Sequence, residues 1–365
     1  MDISKKLARH KQYFEPLQEG EGGYLAVTSP INDTGKLPVE LPPPENDRQR
    51  FFDTDYRVRR AEAAVQNTFW GLDAIQHEFV NFGPGVIAAI VGGNYEISAG
   101  SVWFDTNPII KDWHNLPPFE MDKNHEMYKA IEEHTKALSE ASKGRYAVSV
   151  TDIGGQLDVL FSLRGEELLM DLMDYPDEIK ALQYRLDTAW IDYFWHLERI
   201  TKVANCGFTT WMPIVTSEPY YSIQCDFSVM ISPAMFEEFV LPPLQRISRE
   251  VGCTIYHLDG PEEIKHLDML LTIENLHAIQ WTPVPQAQPD GSSKFFFNDE
   301  LSLGVYRRAK AAGKKVAIFH VDSDQVQSIY EAVGTDGVFI LSNCKTRKEA
   351  DDLVDAAKHR RWVVS

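Results

Sequence analysis

The second half of the chain alternates short apolar runs with amphipathic helices. From residue 145 onward, the apolar runs end in polar residues, and most are followed by a segment with helical periodicity. The runs cover residues 146–150, 209–215, 254–256, 278–281, 316–319 and 338–341. The clearest helices between them are predicted over 177–202 and 233–250, and Thr346 opens a last helix with a capping-box pattern. This alternation predicts a parallel sheet.

Six such strands, with another from the front of the chain at 25–27 or 78–80, favour a closed α/β structure, the (β/α)8 TIM barrel. Its polar residues fall mostly at strand ends, and a barrel gathers those ends around one mouth. An open doubly wound sheet is the alternative, and it would scatter them around a switch point. We expect one domain, with an N-terminal helical and irregular extension over 1–75 and the barrel over 76–365. Helices are predicted at 56–78 and 124–142, after a proline-rich stretch at 30–50.

Composition narrows the function classes. The 365 residues carry a formal charge of -18, which makes nucleic acid an improbable partner, because phosphate binding needs a basic surface. The chain has no apolar run that could cross a bilayer and no apolar signal core, so we expect a cytoplasmic protein with no membrane partner. Its four cysteines include no CxxC pair and are expected to be reduced. A small-molecule substrate and a homodimer are the default expectations.

The most informative segment runs from Thr254 to Pro261. Residues two apart in a strand point to the same side, so His257 and Asp259 can converge on one point at the strand's carboxyl end. Together with a cysteine they would suit zinc, and Cys344 and Cys225 are the candidates. The alternative is that His257 and Asp259 cap the helix that begins near Pro261.

Other polar and aromatic residues near strand ends are candidates for chemistry. Asp152 precedes two glycines and could be an acid or a ligand contact, or it could cap the next helix. His320 could be a base at the mouth. The predicted catalytic residues are Asp152, His320 and Asp226, and the predicted substrate-binding residues are Trp211, Tyr221, Trp281 and Gln280. There is no GxxxxGK[ST], GxGxxG or GxSxG motif, which disfavours kinase, Rossmann dehydrogenase and serine hydrolase functions.

Three blocks carry a family resemblance: residues 224–244, with Ile-Ser-Pro-Ala-Met-Phe at 231–236, then 256–261 and 278–283. They resemble the uroporphyrinogen decarboxylase superfamily, which also contains cobalamin-dependent methyltransferases. The front segment at 82–93 is similar to an uncharacterised bacterial branch of it. The resemblance implies a (β/α)8 barrel.

The two branches of that family imply different sites. The decarboxylases carry an arginine-containing signature near the amino terminus that grips substrate carboxylates, and this chain has no such signature. The branch that uses coenzyme M holds zinc with His-x-Cys and a distant Cys, and the matching positions are His257, Asp259 and Cys344. Asp259 departs from that pattern. A carboxylate is a harder ligand than a thiolate and favours activation of an oxygen over a thiol.

The resemblance therefore implies a zinc-dependent methyltransferase that moves a methyl group between a small substrate and a corrinoid (cobalamin) carrier protein. The alternative is a metal-free carboxy-lyase acting on a smaller substrate, with Asp152 or His320 as proton donor. A third hypothesis is a non-enzymatic protein that binds a corrinoid or tetrapyrrole.

Overall fold

The computed structural model describes residues 3–31, 39–104 and 107–363, and within them the fold is mixed α/β. The helices are α1 (Ile3–Tyr13), α2 (Asp47–Phe52), α3 (Thr54–Asn67), α4 (Val86–Ile90), α5 (Glu126–Ser142), α6 (Gln156–Arg164), α7 (Leu168–Asp174), α8 (Pro176–Thr201), α9 (Pro233–Phe239), α10 (Leu241–Val251), α11 (Leu267–Leu270), α12 (Glu300–Ala311), α13 (Ser323–Val333) and α14 (Arg347–His359). The strands are β1 (Tyr24–Pro30), β2 (Thr68–Leu72), β3 (His77–Glu78), β4 (Glu96–Ser98), β5 (Ser101–Trp103), β6 (Ala147–Val148), β7 (Tyr221–Ile223), β8 (Thr254–Asp259), β9 (Leu276–Thr282), β10 (Gln286–Ala287), β11 (Ser293–Lys294), β12 (Lys315–Val321) and β13 (Val338–Asn343).

A seven-stranded sheet forms the centre of the molecule. Its order is β2-β1-β13-β12-β9-β8-β7, and every neighbouring pair is parallel except β1 with β2. The strands are almost wholly buried because helices cover them, which is usual for parallel sheets. The prediction of a parallel sheet with alternating helices is confirmed.

A separate parallel pair, β3 with β6, extends the strand system. Val150 N donates to Thr209 O at 3.2 Å, and Ser149 forms a parallel bridge with Thr209. The eight-stranded closed barrel stays a prediction. The division at residue 75 also stays a prediction, although β1 from the expected extension lies inside the sheet.

Helix boundaries follow local signals. Ser232 accepts from Met235 N at the start of α9, with Pro233 at the first helical position, and Thr346 accepts from Glu349 N at the start of α14. The predicted helix at 233–250 is two helices, α9 and α10, because Pro242 and Pro243 have no N–H groups with which to continue the hydrogen bonds of α9.

Two predicted elements are wrong in extent. The helix predicted at 56–78 ends at Asn67, and the chain continues as β2 against β1, where Phe69 and Trp70 suit a strand. The apolar run at 209–215 is not a strand. It is a tight turn around Pro213 in which Ile214 N donates to Met212 O. Within the run only Thr209 forms a bridge, while Phe208 and Thr216 on either side of the run pair with each other. Residues 32–38 of the proline-rich stretch lie outside the described residues.

Candidate functional site

His257 and Asp259 lie side by side at the carboxyl end of β8. His257 Nε2 is 4.0 Å from Asp259 Oδ2. Neither residue caps the following helix: the 3₁₀ helix Pro261–His266 has Gly260 at its cap position and no side-chain cap. The convergence expected from strand alternation is present, and the capping alternative is wrong.

Gln280, on the neighbouring strand β9, fixes the orientation of the His257 ring. The two residues are register partners, and His257 Nδ1 is hydrogen-bonded to Gln280 Oε1. Gln280 Nε2 in turn donates to Thr282 Oγ1 at 3.0 Å, which directs the amide oxygen towards the imidazole. Nδ1 is therefore the protonated nitrogen, and Nε2 presents its lone pair to Asp259. Gln280 was predicted to contact substrate, and here its amide lies behind the histidine.

Asp226 completes a three-residue cluster from a different loop. It begins the 3₁₀ helix Asp226–Met230, after β7, and its ligand atoms, those of His257 and those of Asp259 all lie within 4.8 Å of one another. Asp158 of α6 positions this turn, because its carboxylate accepts from Asp226 N at 3.0 Å and Phe227 N at 2.7 Å. One imidazole and two carboxylates are a donor set that suits zinc and other divalent cations, and three protein ligands leave a coordination position open.

Neither predicted cysteine belongs to this cluster. Cys225 is fully buried beside Asp226, and burial raises the pKa of its thiol well above the ordinary value. Cys344 is buried at the end of β13 and lines another cavity, and burial raises the pKa of its thiol to about 11. Thiolate is the form of cysteine that binds metal, so a protonated thiol disfavours both residues as ligands in the absence of a metal ion. Their role as ligands stays a prediction.

Two residues of the cluster, Asp226 and His257, line a cavity of about 360 Å³. Its wall contains aromatic, acidic and small residues: Phe51, Phe79, Asn81, Gly83, Pro84, Gly100, Ser101, Val102, Asp152, Trp211, Gln224, Asp226 and His257. A second cavity of about 310 Å³ adjoins it and shares Pro84, Val102, Gln224 and Asp226. Among the described residues lining the two cavities, none is lysine or arginine. Negative charge in this region is therefore not balanced by a basic side chain of the cavity wall.

The carboxyl groups respond to this crowding. Burial, then repulsion from Asp226, raises the pKa of Asp158 to about 7 and that of Glu263 to about 9. The Asp226 residue is partly exposed to solvent, but desolvation of its carboxyl group still raises its pKa. The charge of His257 lowers the pKa of Asp226, and the charge of Asp259 raises it. A bound cation would relieve this repulsion, so the electrostatics fit a metal at the three-residue cluster.

Asp152 lies in the wall of the same cavity and is 8% exposed. Its Oδ1 accepts from Gly154 N at 3.1 Å and from the Tyr221 hydroxyl at 3.4 Å. Burial raises the pKa of Asp152 to about 7, so a proton is available there near neutral pH. It does not cap α6, whose cap position is Gly155.

The predicted aromatic contacts separate into three environments. Trp211 lines the cavity, with its ring centroid 5.0 Å from that of His257 and the rings almost perpendicular. Tyr221 is buried behind Asp152, where its hydroxyl accepts from Ile153 N at 2.8 Å. Trp281 is fully buried and donates to Ser302 Oγ of α12 at 2.8 Å. Strand alternation turns Trp281 to the face opposite Gln280, so the structure places it in the core rather than at the mouth.

His320 lies outside this cavity, in the wall of a different one that also contains Cys344 and Trp211. The structure therefore brings together Asp152, Asp226, His257, Asp259, Gln280 and Trp211, but not His320 or Cys344.

Sequence reasoning missed Asp158 and Glu263. Asp158 positions the Asp226 turn, and Glu263 Oε2 accepts from Asp259 N at 3.2 Å. In the sequence, Asp158 is an acidic residue in the first turn of a helix, and Glu263 is one of two glutamates that follow Pro261. Neither position stands out as part of a site. Their partners are distant in sequence or depend on a turn, so no local motif marks them.

No protein family model and no curated protein matches this sequence. A solved structure of a methyltransferase from Methanosarcina mazei does match, over 99% of this chain and 99% of its own length, with a TM-score of 0.60. The two chains share a fold. Their sequence identity is 13%, so the likeness concerns the fold alone. No helix in the described ranges has both the length and the apolar character needed to cross a membrane.

Proposed function

We propose that this protein is a zinc-dependent methyltransferase that moves a methyl group between a small substrate and a corrinoid carrier protein. The observation that carries the proposal is the cluster of Asp226, His257 and Asp259, of which Asp226 and His257 line a cavity. The fold shared with a methyltransferase supports methyl transfer as the reaction class. The corrinoid carrier and a cytoplasmic location rest on the sequence resemblance and composition.

His257 Nε2 and one oxygen each of Asp226 and Asp259 would hold the metal. Bound there, zinc would act as a Lewis acid on the heteroatom that carries or receives the methyl group. Two carboxylates make the donor set harder than one with thiolates, which favours an oxygen substrate such as a methoxy ether or an alcohol. Gln280 keeps the His257 lone pair directed at the site, and Asp158 and Glu263 hold the two backbone segments that carry the aspartates.

Asp152 would act as the proton donor to an oxygen that loses its methyl group. It lines the cavity, and its raised pKa keeps a proton available near neutral pH. Trp211 and Phe79 would exclude water from the reacting groups.

The proposal includes the uroporphyrinogen decarboxylase superfamily and its closed eight-stranded barrel. The hydrogen bond from Val150 N to Thr209 O and the hydroxyl contact of Thr210 with Ser222 of β7 at 2.7 Å support closure, because they link β6 to the far edge of the large sheet. In a barrel, the ends of β8, β6 and β12 would share one mouth.

Elemental analysis tests the metal. We expect about one zinc per chain after purification or reconstitution, and loss of that zinc in His257→Ala, because the imidazole is one of only three protein ligands. His359→Ala removes an exposed histidine at the end of α14 and serves as the matched control. A wild-type protein that takes up no zinc from solution would contradict the proposal.

Turnover is tested by mixing the protein with reduced cobalamin and methoxy compounds and following methylcobalamin by its visible absorption. We expect methylcobalamin to form in the presence of zinc and not in its absence. A metal-free carboxy-lyase is the second candidate, and it is favoured by the position of Asp152 in a cavity wall, where burial raises the pKa of its carboxyl to about 7. Activity that survives exhaustive chelation but is lost in Asp152→Asn would select the lyase.

A further inference from the structure

Another cavity, distinct from the two described above, has His320 in its wall. Its volume is about 510 Å³, and Trp211 is the one residue that it shares with the wall of the cluster's cavity. β1, β2, β12 and β13 contribute most of its remaining wall, together with Asn67, His77, Pro213 and Cys344. We call it the His320 cavity.

His320 is held in this wall in an uncommon backbone conformation. Its φ is +62°, in the left-handed region, at the point where the register between β12 and β13 shifts. A non-glycine residue there costs free energy, and such residues concentrate at ligand sites. The position thus exposes a side chain that an undistorted strand would direct elsewhere.

A hydrogen-bond chain fixes the His320 ring. Its Nδ1 is 2.8 Å from Asn343 Oδ1, and Asn343 Nδ2 donates to Thr28 Oγ1 at 2.7 Å. Because the amide nitrogen faces Thr28, the amide oxygen faces the imidazole and requires a proton on Nδ1. In the neutral ring, Nε2 then carries a lone pair, and no hydrogen bond joins it to another of the described residues.

The walls of the His320 cavity contrast with those of the metal cluster. Among its described residues, none is aspartate, glutamate, lysine or arginine. Its polar groups include the hydroxyls of Thr28, Ser29 and Thr68 and the imidazole of His77, and its flat apolar surfaces are Trp70 and Trp211. The Asn67 amide in the same wall pairs with the backbone N–H and carbonyl of Val39. The Trp211 Nε1 is buried and has no partner among the described residues.

We propose that the His320 cavity binds a neutral polyhydroxylated ring. A ligand hydroxyl donates to His320 Nε2, other hydroxyls exchange hydrogen bonds with the threonine and serine side chains, and the apolar face of the ring packs on an indole. An ionic ligand would find no countercharge in these walls. The inference goes beyond the proposed function and does not require the metal.

The test is binding of myo-inositol and methyl β-D-glucopyranoside to the full-length chain after treatment with EDTA, measured by saturation-transfer NMR and calorimetry. We expect saturable binding by at least one of them, and an affinity reduced about tenfold in His320→Ala, which removes one well-placed hydrogen bond. His320→Asn is the second variant, because asparagine accepts the left-handed conformation and keeps the fold intact. His359→Ala is the control.

Absence of saturable binding by both compounds would overturn the inference, as would equal binding by the His320 variants. Tighter binding of sulfate or choline than of either polyol would overturn the neutral character of the site. Zinc uptake, measured on separate aliquots that are reconstituted with zinc instead of being treated with EDTA, separates this outcome from that of the metal proposal: zinc uptake without polyol binding rejects the His320 cavity alone, and polyol binding without zinc uptake rejects the metal alone.

Discussion

At the scale of single residues, the hydrogen bonds behind the candidate ligands determine how their side chains are oriented. His257 would be an ordinary strand histidine without Gln280, whose amide oxygen selects the tautomer with a free Nε2. Gln280 is 3% exposed, so this hydrogen bond is shielded from water. Support of this kind makes a ligand more basic and limits its rotation.

Replacing Gln280 therefore tests the site without removing a ligand. We expect Gln280→Ala to weaken zinc binding about 10- to 100-fold, because the imidazole loses the contact that orients it. Competition with a chromogenic chelator measures the affinity. Gln280→Glu, which keeps an acceptor at the same place, should retain most of it, and Gln286→Ala on the exposed strand β10 should change nothing. Equal affinity in Gln280→Ala and wild type would exclude this role.

His320 offers a residue-scale test of backbone strain. Both His320→Ala and His320→Gly remove the imidazole, but only glycine adopts a φ of +62° without a Cβ penalty. We expect the glycine variant to be more stable than the alanine variant by about 1 kcal/mol, from urea unfolding midpoints. If alanine were equal or better, the left-handed conformation would not be present in solution.

At the scale of elements, the contact between α8 and α10 buries a carboxyl group. Asp187 of α8 is 5% exposed, and its Oδ2 is 4.0 Å from Arg246 Nη1 of α10. Arg246 also donates to the Tyr184 carbonyl and the Thr188 hydroxyl, so its positive charge is shared. Burial outweighs attraction by Arg246 and raises the pKa of Asp187 to about 7.

This pKa predicts a pH-dependent stability. The folded protein keeps a proton on Asp187 that the unfolded chain releases at a lower pH, so folding becomes less favourable as the pH rises from about 4 to about 7. Asp187→Asn removes the titration. We expect its free energy of unfolding, relative to wild type, to increase between pH 5 and pH 8 by on the order of 1–4 kcal/mol. Urea unfolding at both pH values measures this, and a difference that does not change with pH would contradict it.

At the scale of the whole molecule, the sheet brings together segments that are far apart in sequence. Asp226 follows β7, while His257 and Asp259 end β8, and the two strands pair in parallel. Parallel pairing places both carboxyl ends at one edge, so the cluster depends on the folded sheet. The binding of a cation by this cluster would therefore be coupled to folding.

Zinc should accordingly stabilise the protein against unfolding. At a free zinc concentration of 100 times the dissociation constant, we expect a gain of about 2.7 kcal/mol, since the unfolded chain lacks the assembled cluster. Differential scanning calorimetry with zinc and then with excess EDTA measures the shift in Tm and its reversal. A Tm unaffected by zinc in wild type, or shifted equally in His257→Ala, would argue against this site.

The sequence alone determined the alternation of strands and helices, the caps at Ser232 and Thr346, and the same-side placement of His257 and Asp259. Each depends on neighbours within about four residues, where periodicity and capping chemistry act. The tertiary structure decided the rest. It brought Asp226 to His257 and Asp259, placed Gln280 behind the ring, turned Trp281 into the core, and separated Cys344 and His320 from the cluster. Those relations follow from strand pairing and burial between distant segments, which no local pattern encodes.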